Sequence, residues 1–327
     1  MSTHEPARRR RTGAGAGVGV VVVTHRARRH LRRCLSPLLA SPLQPRVLVV
    51  DSCSDDGTAE LARSMGAEVV SVLRRDLNHG LTREHARRIL KTPVVAMLSP
   101  DAYPQHAAFL EKLVAPVREG RAAVSYGRQV AAADADLPAR FARSFNYPAA
   151  SQLRGLEDWP QYGSYTHFCS DACAAWSSEA LDGIGGFPAT LVSEETIVAA
   201  RLLRAGHKIA YVAEAVVEHT HPTRLLDSFR RQFDVGYTRT LFAGELLDRE
   251  GDERRGRRYA LELVGAALAE RPSALPLALA DTALRWLGYR IGRRGPALPR
   301  GLARRLSGQD FYWLDPAQDS PTPAPAW

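Results

Sequence analysis

The amino-acid sequence predicts an α/β fold with a mostly parallel central sheet and a helical extension at its carboxyl end. From Val18 onward, short β-branched runs alternate four times with longer segments in which apolar residues recur at helical spacing. A chain of 327 residues with 45% hydrophobic and 24% charged content is globular, and is long enough for one large domain or two modest ones. Such alternation places helices on both faces of a sheet and ligands at the carboxyl ends of its strands.

The elements are predicted in the following order. Strands are expected at 18–24, 47–51, 68–73, 94–98 and 122–126, separated by helices at 28–40, 58–65, 82–91 and 106–118. Past residue 130 the alternation stops, and the aromatic-rich stretch 149–173 is typical of a loop that lines a binding cleft. A helix that opens at Ser193 and ends at Gly206, a strand at 209–212 and helices from Arg224 through the 260s and at 275–292 complete the chain.

The formal charge of +9 is unevenly distributed. Residues 1–50 carry +9 and residues 282–309 carry seven arginines with no acid, which leaves the middle of the chain mildly acidic. Basic ends suit phosphate-bearing or anionic-membrane partners. A nucleic-acid-binding protein, the rival class suggested by charge alone, would interleave aromatic residues with arginine along one groove. The acidic middle argues against that class, so we expect no nucleic-acid partner.

Cysteine usage and hydropathy predict the compartment. The four cysteines form no Cys-x-x-Cys pair, which favours a reducing cytoplasm, and no segment reaches the roughly 18–20 apolar residues of a membrane-spanning helix. Residues 1–16 are expected to be a disordered basic arm and residues 314–327 a disordered tail. In the helix at 275–292 an apolar stripe precedes the arginines, which suits a helix lying on the anionic inner face of the cell membrane. Packing against the rest of the protein explains the same stripe, and both alternatives stay open.

Polar side chains follow three of the predicted strands at the point where each strand ends. Thr24 ends the first strand, Asp51 ends the second, and Asp101 follows the fourth in Ser99-Pro100-Asp101. Each alone could be a turn residue or a helix cap. Because the carboxyl ends of parallel strands meet at one edge of a sheet, we expect the three to form a site there.

Nine short motifs then follow one another in a recognisable order. They are Val21-Val22-Val23-Thr24-His25, Val49-Val50-Asp51-Ser52 with Asp55-Asp56-Gly57-Thr58, Asn78-His79-Gly80-Leu81-Thr82-Arg83, Leu98-Ser99-Pro100-Asp101-Ala102, Tyr126-Gly127-Arg128-Gln129, Phe145-Asn146-Tyr147-Pro148, Ile184-Gly185-Gly186-Phe187, Glu194-Glu195 and Glu218-His219-Thr220-His221. Across residues 18–313 the chain resembles the family-2 glycosyltransferases with the GT-A nucleotide-sugar fold, and especially their rhamnosyltransferase-like branch.

The resemblance implies a donor site and a divalent metal ion. Thr24 and Asp51 would contact the base and ribose of a nucleoside-diphosphate sugar, and Arg83 would meet its diphosphate. Asp101 corresponds to the metal-binding aspartate of the family, with His219 or His221 as a further ligand, and the ion would be Mg²⁺ or Mn²⁺.

The resemblance also implies an acceptor site and a catalytic base. Glu195 occupies the position of the family's base, where the usual residue is aspartate. Glu194 beside it is expected at the acceptor side or as a helix-start acid, since neighbours on a helix point about 100° apart. The acceptor would meet Trp159, Trp176 and the turn at Gly185 and Gly186, although core packing explains either tryptophan equally well.

The function implied is that of an inverting glycosyltransferase, with rhamnose as the candidate sugar. It would transfer the sugar to a hydroxyl of a glycan, lipid-linked or small-molecule acceptor. A polyprenyl-phosphate sugar transferase on the same fold is the alternative. The catalytic domain is expected at residues 17–235 and a basic helical extension at residues 236–313.

Overall fold

The structure, a computed structural model, describes residues 17–247 and 251–314, without the side chains of residues 251–253. The two terminal segments expected to be disordered lie outside the described residues, apart from Leu314. In chain order the strands are β1 Val18–Thr24, β2 Arg46–Asp51, β3 Glu68–Ser71, β4 Val94–Leu98, β5 Tyr103–Pro104, β6 Val124–Val130, β7 Gln152–Arg154, β8 Cys173–Ser177 and β9 Ile209–Glu218.

The helices surround the sheet and then continue beyond it. They are α1 Arg28–Leu39, α2 Thr58–Ser64, α3 His79–Leu90, α4 Phe109–Arg118, α5 Leu137–Asn146, α6 Trp159–Tyr162, α7 Ser178–Gly183, α8 Glu194–Arg204, α9 Leu225–Leu241, α10 Gly251–Glu270, α11 Leu275–Gly292 and α12 Arg300–Leu306. Among the described residues, no helix combines the length and the apolar character needed to cross a bilayer.

The strands form one mixed sheet in the order β3-β2-β1-β4-β8-β6-β9-β5, with β7 also paired to β9. Strands β1, β2, β3 and β4 are parallel, and β6 pairs in parallel with β9. Strand β8 runs antiparallel between β4 and β6. Its amino end therefore lies at the sheet edge where the parallel strands have their carboxyl ends. This edge is called the functional edge below.

Two hydrophobic clusters, one on each face of the sheet, form the core. Along β1, Val20 and Val22 belong to the cluster under α1 and α4, whereas Val21 belongs to the cluster on the opposite face. The alternation follows from the two-residue period of a strand. Both faces of β1 and β4 are covered, which explains why these strands are almost continuously apolar.

The first half of the predicted element order is confirmed, and the second half contains structure that was not predicted. Strands β1 and β4 have the predicted bounds, and the helices between β1 and β4 begin and end within three residues of their predicted positions. The alternation was expected to stop past residue 130, with an irregular stretch at 149–173. That stretch contains only short elements such as β7 and α6, whereas α5, β8 and α7 flank it and were not predicted. The helix predicted from Arg224 through the 260s is divided into α9 and α10.

The helical extension is fixed to the sheet through α9, which packs closely against α11. A Cβ atom at Gly292 would lie 2.1 Å from the carbonyl oxygen of Phe233, and one at Gly288 would lie 2.3 Å from that of Phe229. The two backbones are therefore in direct contact. The expected domain boundary between residues 235 and 236 falls inside α9, so the extension begins with that helix at Leu225.

Candidate functional site

Thr24 and Asp51 lie side by side at the functional edge, because β1 and β2 pair with these two residues in register. The hydroxyl of Thr24 donates to Oδ1 of Asp51 (2.9 Å), and the amide of Ser54 donates to Oδ2 (2.8 Å). Both predicted nucleotide contacts are buried. The turn after β2 thus holds the Asp51 carboxylate in one orientation.

Asp101, His219 and His221 come together as predicted, and we call them the Asp–His–His cluster. Nε2 of each histidine lies 3.4 Å from a different carboxylate oxygen of Asp101. Asp101 follows β4, whereas the histidines follow β9. The i, i+2 spacing places both rings on the same side of the chain, with their centroids 5.0 Å apart.

The electrostatics of this cluster favour a cation. Burial opposes ionisation of Asp101, but the hydrogen bond and charge of His219, with the charge of His221, hold the pKa of Asp101 well below its usual value. Burial lowers the pKa of both histidines, so their rings are neutral at pH 7. Nδ1 of His219 donates to Oε1 of Gln129 (2.8 Å), so Nε2 donates to Asp101 only while the ring is protonated. In the neutral ring Nε2 carries a lone pair that is available to a cation.

A second group at the same edge consists of Asp171, Glu194 and Glu195, and we call it the carboxylate cluster. Asp171 precedes β8, whereas the two glutamates begin α8. Arg83 of α3 lies among them, with Nη1 2.5 Å from Glu194 and Nε 3.3 Å from Asp171. Glu194 is buried, whereas Glu195 remains partly exposed.

The carboxylate cluster contains three acids and one arginine, and its pKa values diverge. Burial raises the pKa of Glu194, but the charge of Arg83 reverses this, and the pKa is lowered overall. Burial, followed by the charges of Glu194 and Asp171, raises the pKa of Glu195 to about 8. Burial also raises the pKa of Asp171 to about 7 against the opposing charge of Arg83. The carboxyl of Glu195 is therefore mostly protonated at neutral pH, and it becomes ionised and able to accept a proton as the pH approaches 8.

Two of the predicted site residues have other partners than expected. Trp176 is wholly buried, packs against Phe187 with ring centroids 5.1 Å apart, and donates from Nε1 to Oδ1 of Asp171 (2.8 Å). The prediction that it stacks on a sugar is wrong, because a ring with no exposed surface cannot meet an acceptor. The guanidinium of Arg83 is engaged by two carboxylates and does not point freely toward a diphosphate.

Of the other predicted acceptor residues, Trp159 begins α6, whereas Gly185 and Gly186 lie in the turn that follows α7. Trp159 is half-buried and stacks on the ring of His167, with centroids 6.2 Å apart and an angle of 6° between the planes. Gly185 and Gly186 both have positive φ angles, of 83° and 74°. A Cβ atom at Gly186 would lie 2.4 Å from the carboxylate of Glu84, so close packing alone accounts for that glycine.

Sequence reasoning missed three residues that connect the two clusters. Gln129 accepts from His219 and donates from Nε2 to the hydroxyl of Ser170 (2.9 Å), the residue before Asp171. Arg231 on α9 is exposed, and its charge adds to burial in lowering the pKa of both histidines of the Asp–His–His cluster. It also acts on Glu194, after the larger effects of burial and Arg83. The third is Asp171, which precedes β8, a strand of small residues that carries no β-branched signal in the sequence.

Comparison with known protein sequences finds a glycosyltransferase family and two rhamnosyltransferases. The family described as "Glycosyl transferase family 2" matches residues 19–185. The chain is 31% identical over 270 residues to the O-antigen chain rhamnosyltransferase WbaN of Salmonella anatum, covering 82% of this chain and 86% of that protein. It is 32% identical over 271 residues to the O-antigen chain rhamnosyltransferase RfbN of Salmonella typhimurium, with the same coverage.

Similar solved structures extend over nearly the whole chain. Residues 1–349 of S. aureus TarS in complex with UDP-GlcNAc give a TM-score of 0.56 at 15% identity, covering 93% of this chain and 91% of that one. The mannosyltransferase PcManGT from Pyrobaculum calidifontis, in complex with GDP-Man and Mn²⁺, gives 0.52 at 18% identity, covering 91% and 84%. At these identities the likeness concerns the fold, which is of the predicted GT-A type.

Proposed function

This chain belongs to glycosyl transferase family 2, and we propose that it is an inverting rhamnosyltransferase acting on a lipid-linked glycan. As a family member it is a glycosyltransferase that takes its sugar from a nucleotide donor. The observation that carries the proposal is the presence of two chemically different clusters at one edge of the sheet. The names of the two relatives support rhamnose as the sugar.

The donor is proposed to lie along the functional edge from β2 to β4. Thr24 and Asp51 hold the base and ribose, and the diphosphate lies beside the Asp–His–His cluster. Arg231, instead of Arg83, supplies the positive charge for the diphosphate, because it is exposed and acts on both histidines. Arg143, whose Nε donates to the carbonyl of His219 (2.6 Å), is a second cation at this position.

The residues of the Asp–His–His cluster fit a divalent metal ion. One carboxylate and two neutral imidazoles are a donor set for Mn²⁺ and, less well, for Mg²⁺. Gln129 fixes the ring of His219 with Nε2 toward the site, as second-sphere partners of metal-bound histidines do. When bound, such an ion supplies positive charge to the diphosphate as it leaves.

Glu195 is proposed as the general base. Its carboxylate takes the proton of the acceptor hydroxyl, the oxygen bonds to the anomeric carbon, and the bond from that carbon to the diphosphate oxygen breaks. A single displacement of this kind inverts the anomeric configuration. Arg83 acts as a positioning residue, because its two ion pairs hold Glu194 and Asp171 beside Glu195.

The acceptor is proposed to enter beside α8. Trp159 offers the half-buried aromatic face that sugar rings stack on, and the turn at Gly185 and Gly186 borders the start of α8. Trp176 has no part in acceptor binding and instead orients Asp171.

A transfer assay with the purified full-length chain tests this proposal. UDP-, GDP- and dTDP-rhamnose, each with Mn²⁺, Mg²⁺ or EDTA, would be offered with short oligosaccharides that carry a lipid phosphate at the reducing end. We expect one donor to be used in a metal-dependent manner and the product to have the opposite anomeric configuration to the donor by NMR. Retained configuration, or no transfer from any of the three rhamnose donors, would contradict the proposal.

Binding to an anionic membrane surface is proposed for the hairpin of α10 and α11. The face of α11 that packs on α9 contains Asp281, Gly288 and Gly292. Ala278 packs instead with Leu263 and Ala267 of α10. Some large apolar side chains of the hairpin, such as Leu275 and Ile291, pack against buried clusters. Others face outward, with Leu261 of α10 74% exposed and Trp286 of α11 64% exposed. Exposed apolar residues flanked by arginines suit a helix pair lying in the headgroup region.

Replacing both Leu261 and Trp286 with alanine should reduce binding to phosphatidylglycerol vesicles by roughly tenfold or more. Burial of one large apolar side chain in the membrane contributes about 1.5–3 kcal/mol to the binding free energy. Co-sedimentation at low salt measures this. Leu73→Ala with Leu153→Ala removes exposed apolar residues outside the hairpin and should leave binding unchanged. Equal binding by wild type and the hairpin variant would remove the membrane from this proposal.

A further inference from the structure

A basic cleft of about 650 Å³ lies between α9 and the last helical segments of the described chain. Its volume is within the range of small-ligand sites, about 300–1,000 Å³. The arginines that line it are Arg230 of α9 and Arg304 and Arg305 of α12, and we call it the arginine cleft. The other lining residues are Gly301, Ser307, Gly308 and Asp310.

The three arginines of the arginine cleft form no ion pair among the described residues, although the charge of Arg230 also acts on the buried Asp234, which accepts from the amide of Gly308. The one acid in the lining, Asp310, is instead paired with Arg74 at 2.7 Å. Nε of Arg230 is buried and has no hydrogen-bond partner among the described residues. Arginine in such a setting favours a phosphate, to which its planar head donates two parallel hydrogen bonds.

The floor of the arginine cleft is connected to the carboxylate cluster through His79. Gln309, between the lining residues Gly308 and Asp310, hydrogen-bonds to His79. Phe311 meets the ring of His79 edge to face, with centroids 5.3 Å apart. His79 in turn acts electrostatically on Glu194. One layer of side chains thus separates the arginine cleft from the acids at the start of α8.

We propose that the arginine cleft binds a phosphate or diphosphate group carried by the acceptor, at a fixed distance from the carboxylate cluster. The inference rests on the proposed function, since it presupposes an acceptor that is attached to lipid through phosphate. The donor's own diphosphate is accommodated elsewhere, beside the Asp–His–His cluster. The chain then has two anion sites on either side of Glu195, one for each substrate.

The position of α12 agrees with this assignment. It follows α11 after one turn of 3-10 helix at Gly295–Ala297, and α11 carries the exposed Trp286. An acceptor held by its phosphate in the arginine cleft would have its lipid directed toward the proposed membrane surface and its glycan toward α8. The site would select acceptors by their charge in addition to their sugar.

The test uses Arg304→Gln with Arg305→Gln, since both side chains are exposed and their loss should not affect folding. The KM for an oligosaccharide with a reducing-end phosphate should rise roughly 10- to 100-fold, the range for losing charge-assisted hydrogen bonds, with kcat and the donor KM nearly unchanged. The same oligosaccharide without phosphate should show no difference between wild type and variant. Arg63→Gln with Arg118→Gln, exposed at the opposite edge of the sheet, is the control of equal charge.

Two further measurements separate the possible explanations. Inorganic pyrophosphate should raise the melting temperature of the wild type in the presence of EDTA, and the effect should be lost in the variant and kept in the control. The effect of pyrophosphate on the melting temperature does not depend on whether rhamnose is the sugar. A failure of the proposed function is therefore distinguishable from a failure of the arginine cleft to bind phosphate.

Co-sedimentation with phosphatidylglycerol vesicles should be unchanged within twofold in the variant. A large loss of vesicle binding with an unchanged acceptor KM would reassign the arginine cleft to lipid headgroups and overturn the proposal, as would equal KM values for wild type and variant.

Discussion

The Asp–His–His cluster and the carboxylate cluster lie at the same edge of the same sheet, but the pKa values of Asp101 in the first and Glu195 in the second are shifted in opposite directions. Asp101 is surrounded by two imidazoles, and its pKa is lowered although burial alone would raise it. Glu195 is buried to a comparable degree beside two further acids, and its pKa is raised to about 8. The charges of the neighbouring groups therefore determine the direction of each pKa shift. The Asp–His–His cluster is suited to binding a cation, and the carboxylate cluster is suited to accepting a proton.

The largest effect should come from breaking the Asp–His–His cluster with Asp101→Asn. Activity should fall by about three orders of magnitude or more, because the loss of positive charge at the diphosphate costs several kcal/mol in the transition state. Calorimetric titration with UDP, GDP and dTDP should show that Mn²⁺ no longer strengthens nucleotide binding. Glu119→Gln, an exposed acid at the opposite edge, is the control. An unchanged response of nucleotide affinity to Mn²⁺ and EDTA would exclude Asp101 as a metal ligand.

The second effect comes from Glu195→Gln, which keeps the shape of the carboxylate cluster but removes the proton acceptor. Turnover should fall by roughly two to four orders of magnitude with donor affinity nearly unchanged. In the wild type, kcat should rise with pH up to about 8, because only the ionised carboxylate accepts a proton. The folded state holds this proton to higher pH than the unfolded state. The contribution of this proton to the free energy of unfolding is therefore lost as the pH rises from about 4.5 to about 8. The melting temperature of Glu195→Gln should therefore exceed that of the wild type increasingly over this window.

Glu194→Gln is the matched comparison for this prediction. It removes a neighbouring negative charge, so the rise of kcat should move to lower pH while activity above pH 8 falls much less than in Glu195→Gln. It also leaves Arg83 without its closest partner and should lower stability. If the two variants lose activity equally at all pH values, Glu195 is not distinguished as the base.

The smallest effect tests how the carboxylate cluster is held. Trp176→Phe removes the donor to Asp171 and part of a buried ring, which should cost about 2–3 kcal/mol of unfolding free energy. Activity should stay within about tenfold of the wild type, since the ring does not meet substrate. Denaturant unfolding and the acceptor KM measure the two effects. A large rise in acceptor KM without loss of stability would return Trp176 to the acceptor site.

The sequence predicts the first half of the fold well because its central parallel strands, β1, β2 and β4, are buried on both faces. Such strands appear as nearly continuous apolar runs, as in Val18–Thr24 and Val94–Leu98, and the polar residues that end or follow them lie at the functional edge. The Asp–His–His cluster could be anticipated for the same reason. Its residues directly follow two parallel strands, β4 and β9, which have their carboxyl ends at that edge.

The carboxylate cluster was only half predictable. Glu194 and Glu195 stand out at a helix start, but Asp171 precedes a strand of small residues with no β-branched signal, and the antiparallel direction of β8 cannot be read from its residues. The roles of Arg83 and Trp176 depend on which groups meet them from other elements. A side chain that is satisfied by a distant carboxylate gives no local sign of that partner.

The position of β8 also has a consequence for the order in which the protein can be made. In the sheet, β8 separates β3-β2-β1-β4 from β6-β9-β5, so the two halves cannot join until β8 is present. The chain that emerges from the ribosome carries β4 about 75 residues before β8. At about 5–20 residues per second, the edge of β4 stays unpaired for roughly 4–15 seconds of synthesis. An apolar strand edge open for that long invites pairing with other chains, so the nascent protein needs shielding at this stage in particular.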